Sequence, residues 1–388
     1  MATTHIFIVN SKTFDIHLKY LFAGTGSKEH LIDFNNSENS SLHHSVENML
    51  VAMSSDACRI RKDDKIIFYL QQEKGIREGK FYGIFKATSN WSFLDNNDNK
   101  QHLKDNLGKS LMFRTLIEPY YVYAEGVTEW EALDEIKNVQ SPNQMLWSLI
   151  YRKLKGNRGN TMITIYEAER LTQLIRNKNG RDNLNIENKQ LSFDKAIQQI
   201  IVNETPNSSY SGRQEILNIL PRLISKFSKN RAFEVHLQSY IVQNIGLGIN
   251  HSMDKAILED DSTVEWIGNE VSCGVGMQRI DVAISILKDN HRVFIPIELK
   301  AVEASVDNIR QINRYIDWIE QYYIPNRQSD ITPVIIAKEY RKKSKTAYST
   351  ILEKFRNFNR DNNNRCSEIK YIEYSIKEGN LIFNNVIY

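Results

Sequence analysis

Two apolar runs in the C-terminal half carry charged residues at their ends. The stretch RIDVAISILKDNHRVFIPIELKA, residues 279–301, has Asp281 near the start of the first run, and Glu298 and Lys300 near the end of the second. Side chains two apart on a strand project from the same face, so Glu298 and Lys300 should share one. The short turn KDNHR would make the runs antiparallel neighbours and bring Asp281 to the same end of the pair.

Two carboxylates at one end of a sheet are suited to Mg²⁺, because this hard ion takes oxygen ligands and keeps waters that a phosphate can displace. A lysine beside them could orient or help to deprotonate an attacking water and offset the charge of a phosphodiester. The alternative is that Glu298 and Lys300 form an ordinary ion pair on a solvated strand face.

Two flanking helices supply further polar residues. Downstream, RQINRYIDWI places Gln311 and Tyr315 one helical turn apart, and upstream Glu234 lies in the helical pattern FEVHLQSYI, which could lean over the same sheet. The apolar side chains of the downstream helix predict a buried stripe, formed by Val306, Ile309, Ile312, Ile316 and Ile319.

The order of these motifs over residues 230–345 is similar to that of the PD-(D/E)xK nuclease superfamily, and RIDVAISI, IPIELKA and IRQINRYIDWI look most like its NucS-type branch with a RecB-like core. The resemblance implies a Mg²⁺-dependent DNA endonuclease in which Mn²⁺ can substitute. It implies metal ligands at Asp281 and Glu298, a catalytic lysine at Lys300, a supporting Gln311, and a helical acid at Glu234 beside the metal. One departure is Pro296, which cannot donate a hydrogen bond inside the strand, and a bulge there would leave Glu298 usable.

Length and composition limit the class of protein. A chain of 388 residues exceeds the usual size of a single core and predicts two domains. Its net charge of +3 is only mildly basic, so contacts to nucleic acid would come from local patches. No apolar stretch is long enough for a membrane span and no signal segment is evident, so we expect a cytoplasmic protein. Three isolated cysteines predict neither a disulfide framework nor a zinc site.

The first part of the chain reads as β-rich. HIFIVN, DKIIFYL and KFYGIFKAT predict strands, the last two as a hairpin, and SVENMLVAMSSDACRI predicts a helix over a small barrel-like sheet. IRKDDKIIFYL followed by GKFYGIFKATS resembles the EVE/YTH branch of PUA-like domains, which implies a nucleic-acid reader that can hold one modified base in an aromatic pocket.

The predicted fold class is therefore α/β and α+β in two domains, a PUA-like β-barrel with helices and a mixed-sheet nuclease core. We expect the reader over residues 1–180, a helical connector over 181–229, and the endonuclease over 230–388.

The reader should contact DNA through aromatic and basic residues. The candidate aromatic residues of the base pocket are Phe34, Tyr69, Tyr82 and Trp91. The candidate phosphate-binding residues belong to the glycine-containing loop YRKLKGNRGNT and are Arg152, Lys153, Lys155 and Arg158. The alternatives are ordinary core aromatics and a solvated helix end. A second basic run, KEYRKKSK, spans residues 338–345.

The leading hypothesis is a restriction-type endonuclease that cleaves double-stranded DNA. This class includes enzymes whose cleavage depends on a modified base. Cutting both strands would favour a homodimer. A NucS-like repair or mismatch endonuclease is the alternative enzyme. A non-catalytic nucleic-acid-binding protein that kept the nuclease fold is the alternative without activity.

Overall fold

The computed structural model describes residues 2–27, 30–33, 42–150, 159–273, 278–324 and 330–388. These residues form two compact units that divide between Leu217 and Asn218. No helix in the described ranges is long and apolar enough to cross a membrane. The two-part α+β organisation predicted from the sequence is confirmed at this level.

The N-terminal unit consists of short strands and helices that alternate along the chain. Its strands are β1 (Thr4–Val9), β2 (Phe22–Thr25), β3 (Lys65–Leu70), β4 (Lys80–Ala87), β5 (Phe93–Leu94), β6 (Phe113–Pro119), β7 (Val127–Thr128), β8 (Asn160–Ile163), β9 (Lys189–Asp194), β10 (Gln199–Pro206) and β11 (Glu215–Ile216). Its helices are α1 (Ser11–Tyr20), α2 (His44–Cys58), α3 (Lys104–Leu107), α4 (Glu129–Asp134), α5 (Trp147–Ile150) and α6 (Ile165–Lys178).

Nine of these strands form one mixed sheet that curls as a half-barrel. Its path runs β11-β5-β6-β4-β3-β1-β8, with β2 added on β6 and β7 added on β4. The predicted hairpin of β3 and β4 is confirmed as an antiparallel pair. Helices α4 and α6 each begin at a reciprocal capping box, which Thr128 and Thr164 form with a glutamate three residues later.

The predicted helix in the connector is wrong. Residues 189–206 form the antiparallel pair of β9 and β10 instead. Leu191, Phe193 and Ile200 join the hydrophobic core of the N-terminal unit, and the Phe193 ring centroid lies 5.1 Å from that of Phe14 in α1. The segment from 181 to 217 therefore packs as part of the N-terminal unit rather than as a separate helical connector.

The described residues of the C-terminal unit contain five α-helices and six strands. Its helices are α7 (Leu220–Ser228), α8 (Glu234–Asn244), α9 (His251–Ile257), α10 (Val306–Trp318) and α11 (Thr346–Asp361). Its strands are β12 (Thr263–Ser272), β13 (Arg279–Lys288), β14 (His291–Leu299), β15 (Val334–Lys338), β16 (Lys370–Lys377) and β17 (Asn380–Asn385).

These six strands form a mixed sheet in the order β12-β13-β14-β15-β16-β17. The three strands β12, β13 and β14 pair antiparallel, whereas β14, β15 and β16 pair parallel. The strand β14 is therefore central, with β13 on one side and β15 on the other. Since parallel strands end at the same edge, the carboxyl end of β14 lies beside the carboxyl end of β15.

Pro296 does not disturb the pairing of β14 with β13. It lies opposite Ala283 in a ladder without a register shift, so the described pairing of these strands is regular at this position. The backbone N–H groups of Phe294 and Lys300 point to the β15 side, where they donate to Asp330 and Ile336. Pro296 has the same orientation, and the continuous ladder with β15 begins only at Ile297. The missing donor therefore coincides with the start of that ladder.

Candidate active site

The register of β13 and β14 places the predicted residues at one end of the strand pair. Val282 lies opposite Ile297, so Asp281 is level with Glu298 one step further along. The backbone N–H of Leu299 donates to Asp281 Oδ2 at 2.8 Å, which fixes the Asp281 side chain across the end of β14. The sequence-based expectation that Asp281 and Glu298 lie at the same end of the hairpin agrees with this arrangement.

Glu298 is a fully buried carboxylate, with its side chain 1 % exposed. Its Oε1 lies 2.5 Å from Lys300 Nζ and forms an ion pair with that ammonium group. Its Oε2 lies 2.5 Å from the hydroxyl of Tyr315 on α10. A buried charge of this kind is costly unless neighbouring groups stabilise it, and Lys300 and Tyr315 do so from opposite oxygens.

Lys300 carries the positive charge of the cluster. Its Nζ also lies 3.8 Å from Glu234 Oε1, so the ammonium contacts two carboxylates. Burial lowers the pKa of Lys300, but the charges of Glu298, Glu234 and Asp281 outweigh burial and raise it overall. In this arrangement Lys300 is therefore a protonated ammonium group, which can offset negative charge but cannot itself accept a proton.

Asp281 is level with Glu298 and carries the second carboxyl group at this end of the strand pair. Burial, followed by repulsion from the Glu298 charge, raises the pKa of Asp281 well above its usual range, and the Leu299 N–H opposes the shift. Two carboxyl groups that share a site with one lysine hold an excess of negative charge. A cation at this edge of the sheet would relieve that excess.

Glu234 begins α8 and lies beside the same edge. Its Oε2 accepts a long hydrogen bond of 3.4 Å from the backbone N–H of Ala301, just after Lys300. Burial raises the pKa of Glu234, whereas Lys300 and the Ala301 N–H act against the shift. The predicted placement of this helix over the sheet agrees with the structure, because Gln238, one turn further on, donates from Nε2 to the Asp281 carbonyl oxygen at 2.7 Å.

The helix α10 brings Tyr315, rather than Gln311, into the cluster. Tyr315 is 2 % exposed, and its single hydroxyl proton can go to Glu298 Oε2 or to the carbonyl oxygen of Arg279 at 2.9 Å. Burial, then the Glu298 and Asp281 charges, raises the pKa of Tyr315. Among the described contacts, Gln311 accepts a hydrogen bond from Asn308 at 3.3 Å and none joins it to the carboxylates.

The predicted buried stripe of α10 is only partly correct. Ile312, Ile316 and the following Ile319 are buried, but Val306 is 39 % exposed. Tyr315 and Trp318 take part in the buried face instead. The buried face of α10 therefore includes Tyr315, whose hydroxyl reaches Glu298.

Two supporting residues were not found by the motif search. Gln238 lies four residues after Glu234, so the helical period could have placed it on the same face. Tyr374 on β16 donates its hydroxyl to the Lys300 carbonyl oxygen at 3.1 Å. No sequence pattern identifies Tyr374, because its position depends on which strand lies two places from β14 in the sheet.

The donor set fits a small divalent cation. Glu298 Oε1 faces the Lys300 ammonium at 2.5 Å, and Asp281 is level with Glu298 at the end of the neighbouring strand. Among the described residues no cluster of three or more His, Cys, Asp or Glu side chains is arranged to hold an ion. Mg²⁺ typically takes only one or two carboxylates and completes its shell with water and phosphate oxygens, so two carboxylates are sufficient.

Of the three predicted base-pocket aromatics that the structure describes, two are buried. Tyr69 and Tyr82 are at most 1 % exposed and belong to hydrophobic cores, so neither ring can stack on a base, which corrects the prediction for both. Their hydroxyls donate to Glu129 Oε1 and to the Gln198 carbonyl oxygen. Trp91 is 49 % exposed in the loop before β5. The remaining candidates lie outside the described residues: Phe34, Arg152, Lys153, Lys155 and Arg158.

Comparisons with known proteins give low similarity. No family model and no curated protein matches the chain. Human THYN1 in complex with 5-methylcytosine containing DNA is similar with a TM-score of 0.23 and 8 % identity, over 45 % of this chain and 97 % of that chain. SfsA from Pyrococcus furiosus in complex with Ca²⁺ has a TM-score of 0.20 and 15 % identity, over 47 % and 74 %. The restriction endonuclease FokI bound to DNA has a TM-score of 0.21 and 11 % identity, over 62 % and 41 %. Because all three TM-scores lie below 0.5, nothing about function is drawn from these likenesses.

Proposed function

We propose that the C-terminal unit is a metal-dependent DNA endonuclease that hydrolyses phosphodiester bonds at Asp281, Glu298 and Lys300. The observation that carries the proposal is the buried Glu298 carboxylate between Lys300 and Tyr315, with Asp281 level with it and its pKa raised by burial and by the Glu298 charge. Strongly perturbed carboxyl groups beside a specific charge partner are typical of functional sites. An ordinary surface ion pair would not bury its carboxylate or place a second one beside it.

In this mechanism Asp281 and Glu298 would hold Mg²⁺, or Mn²⁺ in its place, which when bound polarises a phosphoryl oxygen and lowers the pKa of a bound water. The Leu299 N–H keeps Asp281 directed across the strand end. The Tyr315 hydroxyl orients the Glu298 carboxylate through Oε2, and Oε1, which faces Lys300 Nζ, would be shared between the ammonium group and the ion. Lys300, as an ammonium group, offsets the negative charge that the phosphate gains in the transition state. Glu234 Oε1 lies 3.8 Å from Lys300 Nζ and would help to hold the ammonium group near the other carboxylates.

The N-terminal unit is proposed to bind DNA and to read a base. This proposal has less support than the nuclease site. Among the predicted aromatic residues that the structure describes, only Trp91 is exposed. A restriction-type role that depends on a modified base, and a homodimer that cuts both strands, are extensions of the same proposal. A mismatch preference would instead favour the NucS-like repair function.

Alanine variants of the three residues test the nuclease proposal. We expect Asp281→Ala, Glu298→Ala and Lys300→Ala each to reduce the rate of plasmid cleavage in Mg²⁺ by at least about a hundredfold, since removal of one group that stabilises a transition state typically costs that much. Lys288→Ala is the matched control, because Lys288 ends β13 at the opposite end of the same strand pair. Cleavage by a folded Lys300→Ala variant at the rate of the Lys288→Ala control would remove Lys300 from the mechanism. A wild-type protein that binds DNA without cutting it would favour the non-catalytic alternative.

A further inference from the structure

The basic run that follows β15 is not used by the proposed mechanism. Residues 338–345, KEYRKKSK, contain five cationic residues and one acidic residue. The run connects the end of β15 with the start of α11 at Thr346. Its position relative to the carboxylates decides whether it is a solvated connection or part of the same functional surface.

The parallel pairing of β14 and β15 brings this run to the edge that carries the site. Glu298 lies opposite Ile335 and Leu299 opposite Ile336, so the two strands end side by side. The hydrogen bonds continue past the strand ends: the Lys338 N–H donates to the Val302 carbonyl oxygen at 3.1 Å, and the Tyr340 hydroxyl donates to the Ala304 carbonyl oxygen at 2.8 Å. The basic run is therefore fastened to the segment that directly follows Lys300.

One lysine of the run is committed to a structural role. Lys343 Nζ lies 2.6 Å from Glu373 Oε2 and 3.7 Å from Glu339 Oε1. Glu373 is buried, so this ion pair holds the middle of the run against β16. The cations on either side of Lys343 are consequently held near a fixed part of the sheet.

Three of the other four cations face solvent, and Lys338 is half-buried. Arg341, Lys342 and Lys345 are exposed, and no ion pair joins any of them to an acidic side chain of the described ranges. Burial, followed by the charge of Arg341, lowers the pKa of Lys338, which shows that positive charges here repel one another. Lys345 immediately precedes α11, whose first turn contains no acidic residue. Cations at a helix N-terminus oppose the helix dipole, so this distribution does not serve the stability of α11.

We propose that Arg341, Lys342 and Lys345 form a phosphate-binding ridge that holds the backbone of the DNA strand lying at Asp281 and Glu298. The inference rests on the proposed function, since it takes the nucleic acid at the active site to continue along the same edge of the sheet. Contacts of this kind position the duplex without reading its sequence. The ridge would set affinity and the register of the scissile bond, whereas Lys300 acts at the bond itself.

The salt dependence of DNA binding tests the ridge. The full chain carrying R341A, K342A and K345A together is compared with wild type by fluorescence anisotropy on a labelled duplex, in excess chelator so that no cleavage occurs. Each lost phosphate contact lowers the slope of log affinity against log salt by about 0.9, so three contacts predict a decrease of about 2.7 and an affinity about a hundredfold weaker at about 0.15 M salt. The matched control removes the same charge from exposed residues elsewhere in the unit, with K255A, K354A and R356A together.

The possible results separate the ridge from the nuclease proposal. A slope that falls by two or more in the ridge variant, with the control within one unit of wild type, supports the ridge whether or not the wild type cleaves DNA in Mg²⁺. Equal slopes for the ridge variant and wild type overturn it, even if the wild type cleaves. An equal loss in ridge and control variants also overturns it, because affinity would then follow net charge alone.

Discussion

The hydroxyl group of Tyr315 offers a precise test of how the site is organised. Tyr315→Phe keeps the buried ring and removes only the group that lies 2.5 Å from Glu298 Oε2. A hydrogen bond to a charged group contributes about 1.5–3 kcal/mol, which corresponds to a factor of about 10 to 100 in an equilibrium constant. Groups that orient a metal-binding carboxylate typically change metal affinity by the same range. We therefore expect the Mg²⁺ concentration for half-maximal cleavage to rise about tenfold or more.

The measurement is the initial rate of plasmid cleavage as a function of Mg²⁺ concentration, with thermal unfolding recorded for each variant. Tyr240→Phe is the matched control, because Tyr240 is a buried tyrosine of the same unit. Its hydroxyl accepts a hydrogen bond from Asn250 at 3.0 Å, and none of the site's carboxylates is among its described hydrogen-bond partners. A loss of folding stability in both variants with a changed Mg²⁺ requirement only in Tyr315→Phe supports the reasoning. A folded Tyr315→Phe protein with the Mg²⁺ requirement of wild type would refute it.

Three further predictions concern the N-terminal unit. Burial lowers the pKa of His17 to about 3, so between about pH 6.5 and pH 3 the unfolded chain binds one proton more at this residue than the folded unit does. This difference should lower the free energy of unfolding by about 1.4 kcal/mol for each pH unit of acidification. His17→Gln should remove this contribution in chemical unfolding experiments. Asp95→Ala should destabilise the unit by about 3–5 kcal/mol, measured by urea unfolding, because it leaves the fully buried guanidinium of Arg114 without the carboxylate that lies 3.0 Å away. Expressed alone, residues 1–217 should prefer duplexes that carry one particular base, and Trp91→Ala should weaken that preference about tenfold; equal binding to all duplexes would contradict the reader role.

The periodicity of the sequence was sufficient to predict the hairpin that carries the site and the helices on either side of it in the sequence. Alternating apolar residues on either side of KDNHR define the hairpin of β13 and β14, and the period of two then places Glu298 and Lys300 on one face. For Tyr315 the sequence predicts only that it lies one helical turn after Gln311. Its contact with Glu298 could not be predicted, because that contact depends on how α10 packs on the sheet. Val306 on the predicted stripe is exposed for the same reason.

The N-terminal unit was harder to predict, because aromatic residues in short strands serve the core as readily as a pocket. Tyr69 and Tyr82 alternate toward the two buried faces of a curled sheet, and no local pattern distinguishes such a ring from one that lines an open site. The missed hairpin has a similar cause. Residues 191–202 fit a helical period, but Asp194 accepts hydrogen bonds from the next turn and Gln198 has a φ of 58°, so the chain reverses there. A reversal without glycine or proline gives little signal in the sequence.

The central claim is that Asp281 and Glu298 support DNA cleavage through a divalent cation. The most direct measurement is cleavage of one supercoiled plasmid by the full-length protein in Mg²⁺, Mn²⁺, Ca²⁺ or excess chelator, with DNA binding measured in parallel. We expect cleavage in Mg²⁺ and Mn²⁺, binding without cleavage in Ca²⁺ because its larger and looser oxygen shell positions the water poorly, and neither single- nor double-strand cleavage in chelator. Cleavage in excess chelator at the rate seen in Mg²⁺ would contradict the metal mechanism.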